Sequence, residues 1–90
     1  MYAETISTEA QKALKKLVET SELKWLFMIL PVDECRVSII DIDYENGKEV
    51  SFYEALSQMK KYLIAPLSDY GLTKSEAAAF EDLLTQFNIA

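Results

Sequence analysis

The chain contains no histidine, a single cysteine, a single arginine, two glycines and two prolines among its 90 residues. Each shortage removes a class of chemistry. Without histidine, the commonest general base and the commonest zinc ligand are gone, and so are Ser–His–Asp and Cys–His nucleophile systems. One cysteine, Cys35, forms neither an internal disulfide nor a soft-metal ligand set. Flanked by Asp33, Glu34 and Arg36, its thiol has acidic neighbours that work against a reactive thiolate. Two isolated glycines do not make a phosphate-cradling loop. One arginine, Arg36, does not make a cluster that grips phosphate or bases. The longest apolar run, Trp25 to Leu30, is far shorter than the roughly 20 residues of a membrane-crossing helix. Met1-Tyr2-Ala3-Glu4 carries no basic stretch leading into an apolar one. With one unpaired thiol, a cytoplasmic location is expected.

What remains is an ordinary globular composition, 50% hydrophobic and 27% charged, of a length that suits one domain over residues 1–90. The net charge is −6, and it is unevenly spread. Residues 25–54 hold seven acids against Arg36 and Lys48, whereas residues 1–24 balance four acids with four lysines. Such a charge keeps a small domain soluble. It also repels nucleic acid and anionic membranes and favours basic partners. The lysines at 12, 15 and 16 read as one solvated helix face rather than a nucleic-acid patch.

Hydrophobic periodicity gives the elements. Ala10, Ala13, Leu14, Leu17 and Val18 recur at helical spacing within Ser7 to Thr20, and Thr8 with Gln11 reads as a capping box. After Lys24, Trp25 to Leu30 is apolar throughout, so period does not decide the segment Lys24 to Leu30. Its length and the Pro31-Val-Asp33-Glu34 that follows favour a strand and a turn, with a helix ending at Leu30 as the alternative. Residues 36–45 alternate as a strand, with Val37 and Ile39 on one face and Ile40, Ile42 and Tyr44 on the other. The switch of phase implies either that both faces are partly covered or that a bulge intervenes. Asn46-Gly47 suits a two-residue hairpin turn that would set Glu45 beside Lys48. Lys48 to Ser51 returns as a further strand. Ser51/Glu54 and Thr73/Glu76 are two more capping boxes. They open one helix with the stripe Phe52, Ala55, Leu56, Met59, Leu63, Ile64, ended or kinked by Pro66, and another with Ala77, Phe80, Leu83, Leu84 and Phe87. The expected fold is α+β: a small antiparallel sheet of two to three strands packed by three helices, in the order α-β-β-(β)-α-α.

Carboxylates and tyrosines supply the candidate surface. Asp41, Asp43 and Glu45 alternate along one strand, which would project them on one face about 7 Å apart. Such a row can hold a cation, act as an acid pair, or meet lysines and arginines. A calcium-loop reading ending at Glu54 fails because Lys48 falls where that loop requires glycine. A hydrolase using Asp41 and Asp43 would need the two groups in different environments, and nothing in the pattern supplies them. Tyr44 and Tyr53 lie close in sequence to the acids, and tyrosine is enriched at interfaces. The expected function is therefore non-enzymatic and cofactor-free. It is that of a small acidic inhibitor or regulator that docks Asp41, Asp43, Tyr44, Glu45 and Glu49 on a basic patch of a larger protein, without direct contact to nucleic acid or membrane. Inhibitors, immunity proteins and phage-encoded regulators share this profile, a likeness of type only; nucleic-acid mimicry is its extreme form. The alternative is an assembly module that forms a homodimer through Trp25 to Leu30.

Overall fold

In a computed structural model, which describes residues 3–43 and 47–89, the elements run β1 (Glu4–Thr5), α1 (Thr8–Thr20), β2 (Phe27–Pro31), β3 (Arg36–Asp41), β4 (Lys48–Val50), α2 (Phe52–Tyr62) and α3 (Lys74–Gln86). Short 3₁₀ turns at Glu22–Trp25 and Leu67–Tyr70 join them. This is the expected α+β arrangement of three helices on a small antiparallel sheet. The sheet gains one strand that carries no sequence signal of its own, the two-residue β1.

The alternating segment becomes the central strand. β3 pairs antiparallel with β2 along one edge. Along its other edge lie β1, opposite Arg36 and Val37, and β4, opposite Ile39 to Asp41. The β2–β3 register runs unbroken from Phe27↔Asp41 to Pro31↔Val37. No bulge therefore re-aims β3 between Ile39 and Ile40, and the phase switch reflects two partly covered faces. Val37 and Ile39 are buried against the helices, while Ile40 is half-buried on the opposite face. β3 stops at Asp41, short of residue 45, and Ile42 and Asp43 enter a turn.

β3 and β4 form the expected hairpin, but Lys48 lies opposite Asp41. The connection thus spans residues 42–47 and is longer than a two-residue turn. Gly47 has φ +73°, and a Cβ there would sit 3.0 Å from Ile40 Cγ2. Both facts demand glycine: the left-handed backbone, and the close pass over Ile40. Asn46 lies outside the described residues.

All three helices lie on one face of the sheet. Ala10, Ala13, Leu14, Leu17 and Val18 of α1 are buried, as are Phe52, Ala55, Leu56 and Met59 of α2, and Phe80 and Leu83 of α3. They meet Phe27, Val37, Ile39 and Val50 from the sheet in one core. Full burial of side chains of this size contributes about 1.5–3 kcal/mol each. The Phe52 and Phe87 rings stack with centroids 5.9 Å apart and so tie the end of α3 to the start of α2.

The helix ends follow their caps with one shift. Ser7, not Thr8, caps α1: its backbone is extended, and its Oγ accepts from the Ala10 N–H at 3.1 Å. Gln11 instead sends its amide to the Ile6 carbonyl. Ser51 and Thr73 cap α2 and α3 as their spacing implies, and Thr73 with Glu76 forms the complete reciprocal box. α2 ends at Tyr62, before Pro66 acts. Ile64 consequently falls off the expected stripe and is 92% exposed.

Candidate functional site

Of the five acid and tyrosine positions, the structure brings two together. Asp41 ends β3, and its Oδ1 accepts the Asp43 N–H at 3.0 Å, closing a turn of the kind short carboxylates favour. Both residues line a depression of about 340 Å³ with Leu26, Gln58 and Tyr62. Glu49 is elsewhere. It pairs with Ile40 on the face away from the helices, and its Oε1 accepts the Ser38 hydroxyl at 3.0 Å. Asp41 and Glu49 therefore lie on opposite faces of the sheet: Asp41 shares its parity with Val37 and Ile39, and Glu49 shares that of Ile40. Tyr44 and Glu45 lie outside the described residues. Tyr53 is exposed on α2. Among the described residues no group of three carboxylates or thiols is placed to hold a metal ion.

The least finished part of the molecule is β2. The Val32 N–H donates to the Arg36 carbonyl and the Ile42 N–H to the Leu26 carbonyl. These two bonds bracket the β2–β3 ladder and fix its parity. In an antiparallel pair only alternate residues exchange backbone bonds. Met28 and Leu30 therefore bond inward to β3, and Phe27, Ile29 and Pro31 turn their backbone groups outward. Among the described residues β3 is the only strand that pairs with β2. The outer edge thus offers the N–H and C=O of Phe27 and Ile29, and the C=O of Pro31. Proline is tolerated inside this strand because the N–H it lacks would have pointed to the open edge.

Side chains on the same strand divide between two environments. Phe27 is buried beneath α1 and Ile29 is half-buried. Met28, 47% exposed, and Leu30, 42% exposed, stand on the opposite face together with Val32. Among the described residues no helix packs over that face. At its centre Ser38 is fully buried between neighbouring strands, and Gly47 lies against Ile40. An apolar edge strand beside a bare apolar face is unusual, because such edges invite pairing with another chain.

Where the β2 edge meets α1, a seam holds two grooves of about 270 and 360 Å³ that share Lys15 and Ile29. Lys12, Lys15 and Lys24 surround it, and Glu19 is the single acid among the described lining residues. Among the described residues the Lys15 side chain has no ion pair or hydrogen bond, and Lys12 only approaches Glu9, at 3.9 Å. Lys24 Nζ lies 5.6 Å from the centre of the Trp25 ring. The tryptophan itself is 70% exposed and lines a depression with Tyr62 and Ile64.

Two other charged pairs build the scaffold. Lys16 Nζ donates to Glu76 Oε1 at 2.7 Å and to the Gly71 carbonyl at 3.2 Å. Glu76 is only 3% exposed. The Lys16 ammonium, and then the Thr73 N–H, hold its carboxyl below the usual carboxylate range. Asp33 accepts the Cys35 and Arg36 N–H groups and pairs with Arg36 Nε at 2.7 Å, closing the β2–β3 turn. Those contacts lower its carboxyl as well, the Cys35 N–H most of all. Sequence reasoning placed Lys16 among solvated lysines and missed this tie. Spacing alone gave little signal for it: the 15th and 16th positions lie almost equally far from the apolar stripe, on its two sides.

Comparison with known proteins gives no lead. The chain matches no protein-family model, no curated protein and no solved structure.

Proposed function

We propose that this chain is a non-catalytic protein-binding module that docks its partner through the outer edge of β2 and the bare face of the sheet beside it. One observation carries the reading: among the described residues the outward backbone groups of Phe27 and Ile29 have no partner strand, and the Met28 and Leu30 side chains of the same strand are exposed. Apolar side chains next to open hydrogen-bonding groups suit a partner that supplies both. The test is capture of partners from a cell lysate with the tagged wild-type chain and a Met28→Glu/Leu30→Glu variant, with circular dichroism to establish that both fold. A partner held by the wild type and lost by the variant is the expected result. Equal capture by both chains would sink the reading.

A second reading is favoured by the corner where Asp41 and Asp43 meet beside Tyr62. There the chain would act as an inhibitor or regulator that docks an acidic surface on a basic patch. An Asp41→Lys/Asp43→Lys variant tested in the same capture separates the two. Loss with that variant and with added salt assigns the interface to the acidic corner.

A further inference from the structure

We propose that the seam between α1 and β2 binds an extended acidic peptide of a partner protein, which adds to the sheet as a new edge strand along Phe27–Pro31. The inference rests on the β2 interface proposed above and specifies the chemistry of its occupant. The five residues of β2 span about 16 Å at strand rise, so the matching peptide segment is about five residues long. It would receive the Phe27 and Ile29 N–H groups on its carbonyls. Its own N–H groups would donate to the carbonyls of Phe27, Ile29 and Pro31. Alternate peptide side chains then fall on opposite faces. One set enters the seam beside Val18, Ile29 and the lysines. The other lies beside Met28 and Leu30 on the bare face.

Charge selects the occupant. Lys12, Lys15 and Lys24 rim the seam; among the described lining residues Glu19 is the one acid, and Glu9 approaches Lys12 at 3.9 Å. Lys15, at its centre, has no side-chain partner among the described residues. Glutamate or aspartate on the seam side of the peptide meets these ammonium groups, and lysine or arginine there is repelled. A second copy of this chain fits less well. Pairing β2 with β2 would set the same lysines of two copies against each other and join two chains of net charge −6. Lysines beside an open edge are a usual means by which sheets discourage self-pairing. The arrangement therefore refuses its own kind and admits an acidic strand.

The test starts from a phage-displayed library of random heptapeptides selected on the immobilised full chain. The best selected peptide is then titrated into labelled protein while amide hydrogen exchange is followed. Expected are peptides that alternate apolar residues with Asp or Glu. On binding they should slow exchange at Phe27 and Ile29 and leave Met28 and Leu30, already bonded to β3, little changed. Lys15→Glu, on an exposed helix position that does not disturb the core, should weaken the peptide about tenfold or more.

Selected peptides without acidic residues that still protect Phe27 and Ile29 would overturn the charge rule and leave the β2 interface standing. Basic peptides that shift residues around Asp41 and Asp43 would overturn both in favour of the acidic corner. Self-association of the free chain with the same two amides protected would make a second copy the occupant. A selection that yields no peptide above background also counts against the proposal.

Discussion

Lys15 and Lys16 are neighbours on one helix and have opposite fates. Lys16 reaches across to α3, where Glu76 and the Gly71 carbonyl receive it. Lys15 faces β2 and meets no charged or hydrogen-bonding partner among the described residues. The two sides of α1 are the two regions worth comparing. On one side a distant segment returns with a carboxylate, a reciprocal cap and apolar side chains to close the contact. On the other, the chain stops at an edge strand with outward backbone groups and rows of uncovered apolar side chains. The same residue type is a structural tie in the first setting and an unengaged charge in the second. What decides between them is whether another part of the chain arrives.

The contrast breaks most sharply within β2 itself. Phe27→Ala, which empties a buried site, should cost about 3–5 kcal/mol, a large share of the stability of a domain this size. Met28→Ala, one residue on, should cost less than about 1 kcal/mol. Urea denaturation of the two variants measures both. A comparable loss for Met28→Ala would mean that the face is covered after all.

On the finished side, Thr73→Ala removes the cap of α3 and half of the reciprocal box that positions Glu76. It should cost about 1 kcal/mol. Acid sharpens the same point. Because Lys16 and the Thr73 N–H hold the Glu76 carboxyl below its ordinary value of 4.5, the folded chain binds fewer protons there than the unfolded chain does. That stabilisation is fully present above the ordinary value and is lost as pH falls through the lowered folded one. The denaturation midpoint should therefore drop with acid, and Glu76→Gln should flatten part of the drop. Asp33, lowered by its turn contacts, contributes in the same direction, so Asp33→Asn should flatten a separate part. An unchanged acid profile in Glu76→Gln would mean that the tie to Lys16 does not persist in solution. The smallest effect belongs to the unfinished side: Lys15→Glu should change stability by no more than about 0.5 kcal/mol, read in the same urea titrations.

Much of the fold was legible in the sequence because local rules agreed with one another. The Thr73/Glu76 box, the Ala10–Val18 stripe and the alternation around Val37 and Ile39 each point to one element. Three features were not legible, and each depends on something distant. β1 is two residues long, and it is a strand only because Arg36 and Val37 lie beside it. The face of Glu49 follows from the register Asp41↔Lys48, which a longer connection sets and which Asn46-Gly47 alone does not announce. The strand behind the row of Asp41, Asp43 and Glu45 also stops early: β3 ends at Asp41, so the period of two no longer governs Asp43, and Glu45 lies outside the described residues. The open edge was half visible. An apolar run from Trp25 to Leu30 showed that both faces needed covering, but an unbroken run has no period to tell the buried side from the bare one. Pro31 held the missing clue, since a proline within a strand belongs at an edge.

Residue-resolved amide hydrogen exchange on the free chain, at low and at high protein concentration, tests the central claim most directly. The account predicts alternation along β2 at both concentrations: Met28 and Leu30 slow because they bond to β3, Phe27 and Ile29 fast because their N–H groups face the open edge. Uniform slow exchange across all four residues would contradict it, because that edge would then already be covered.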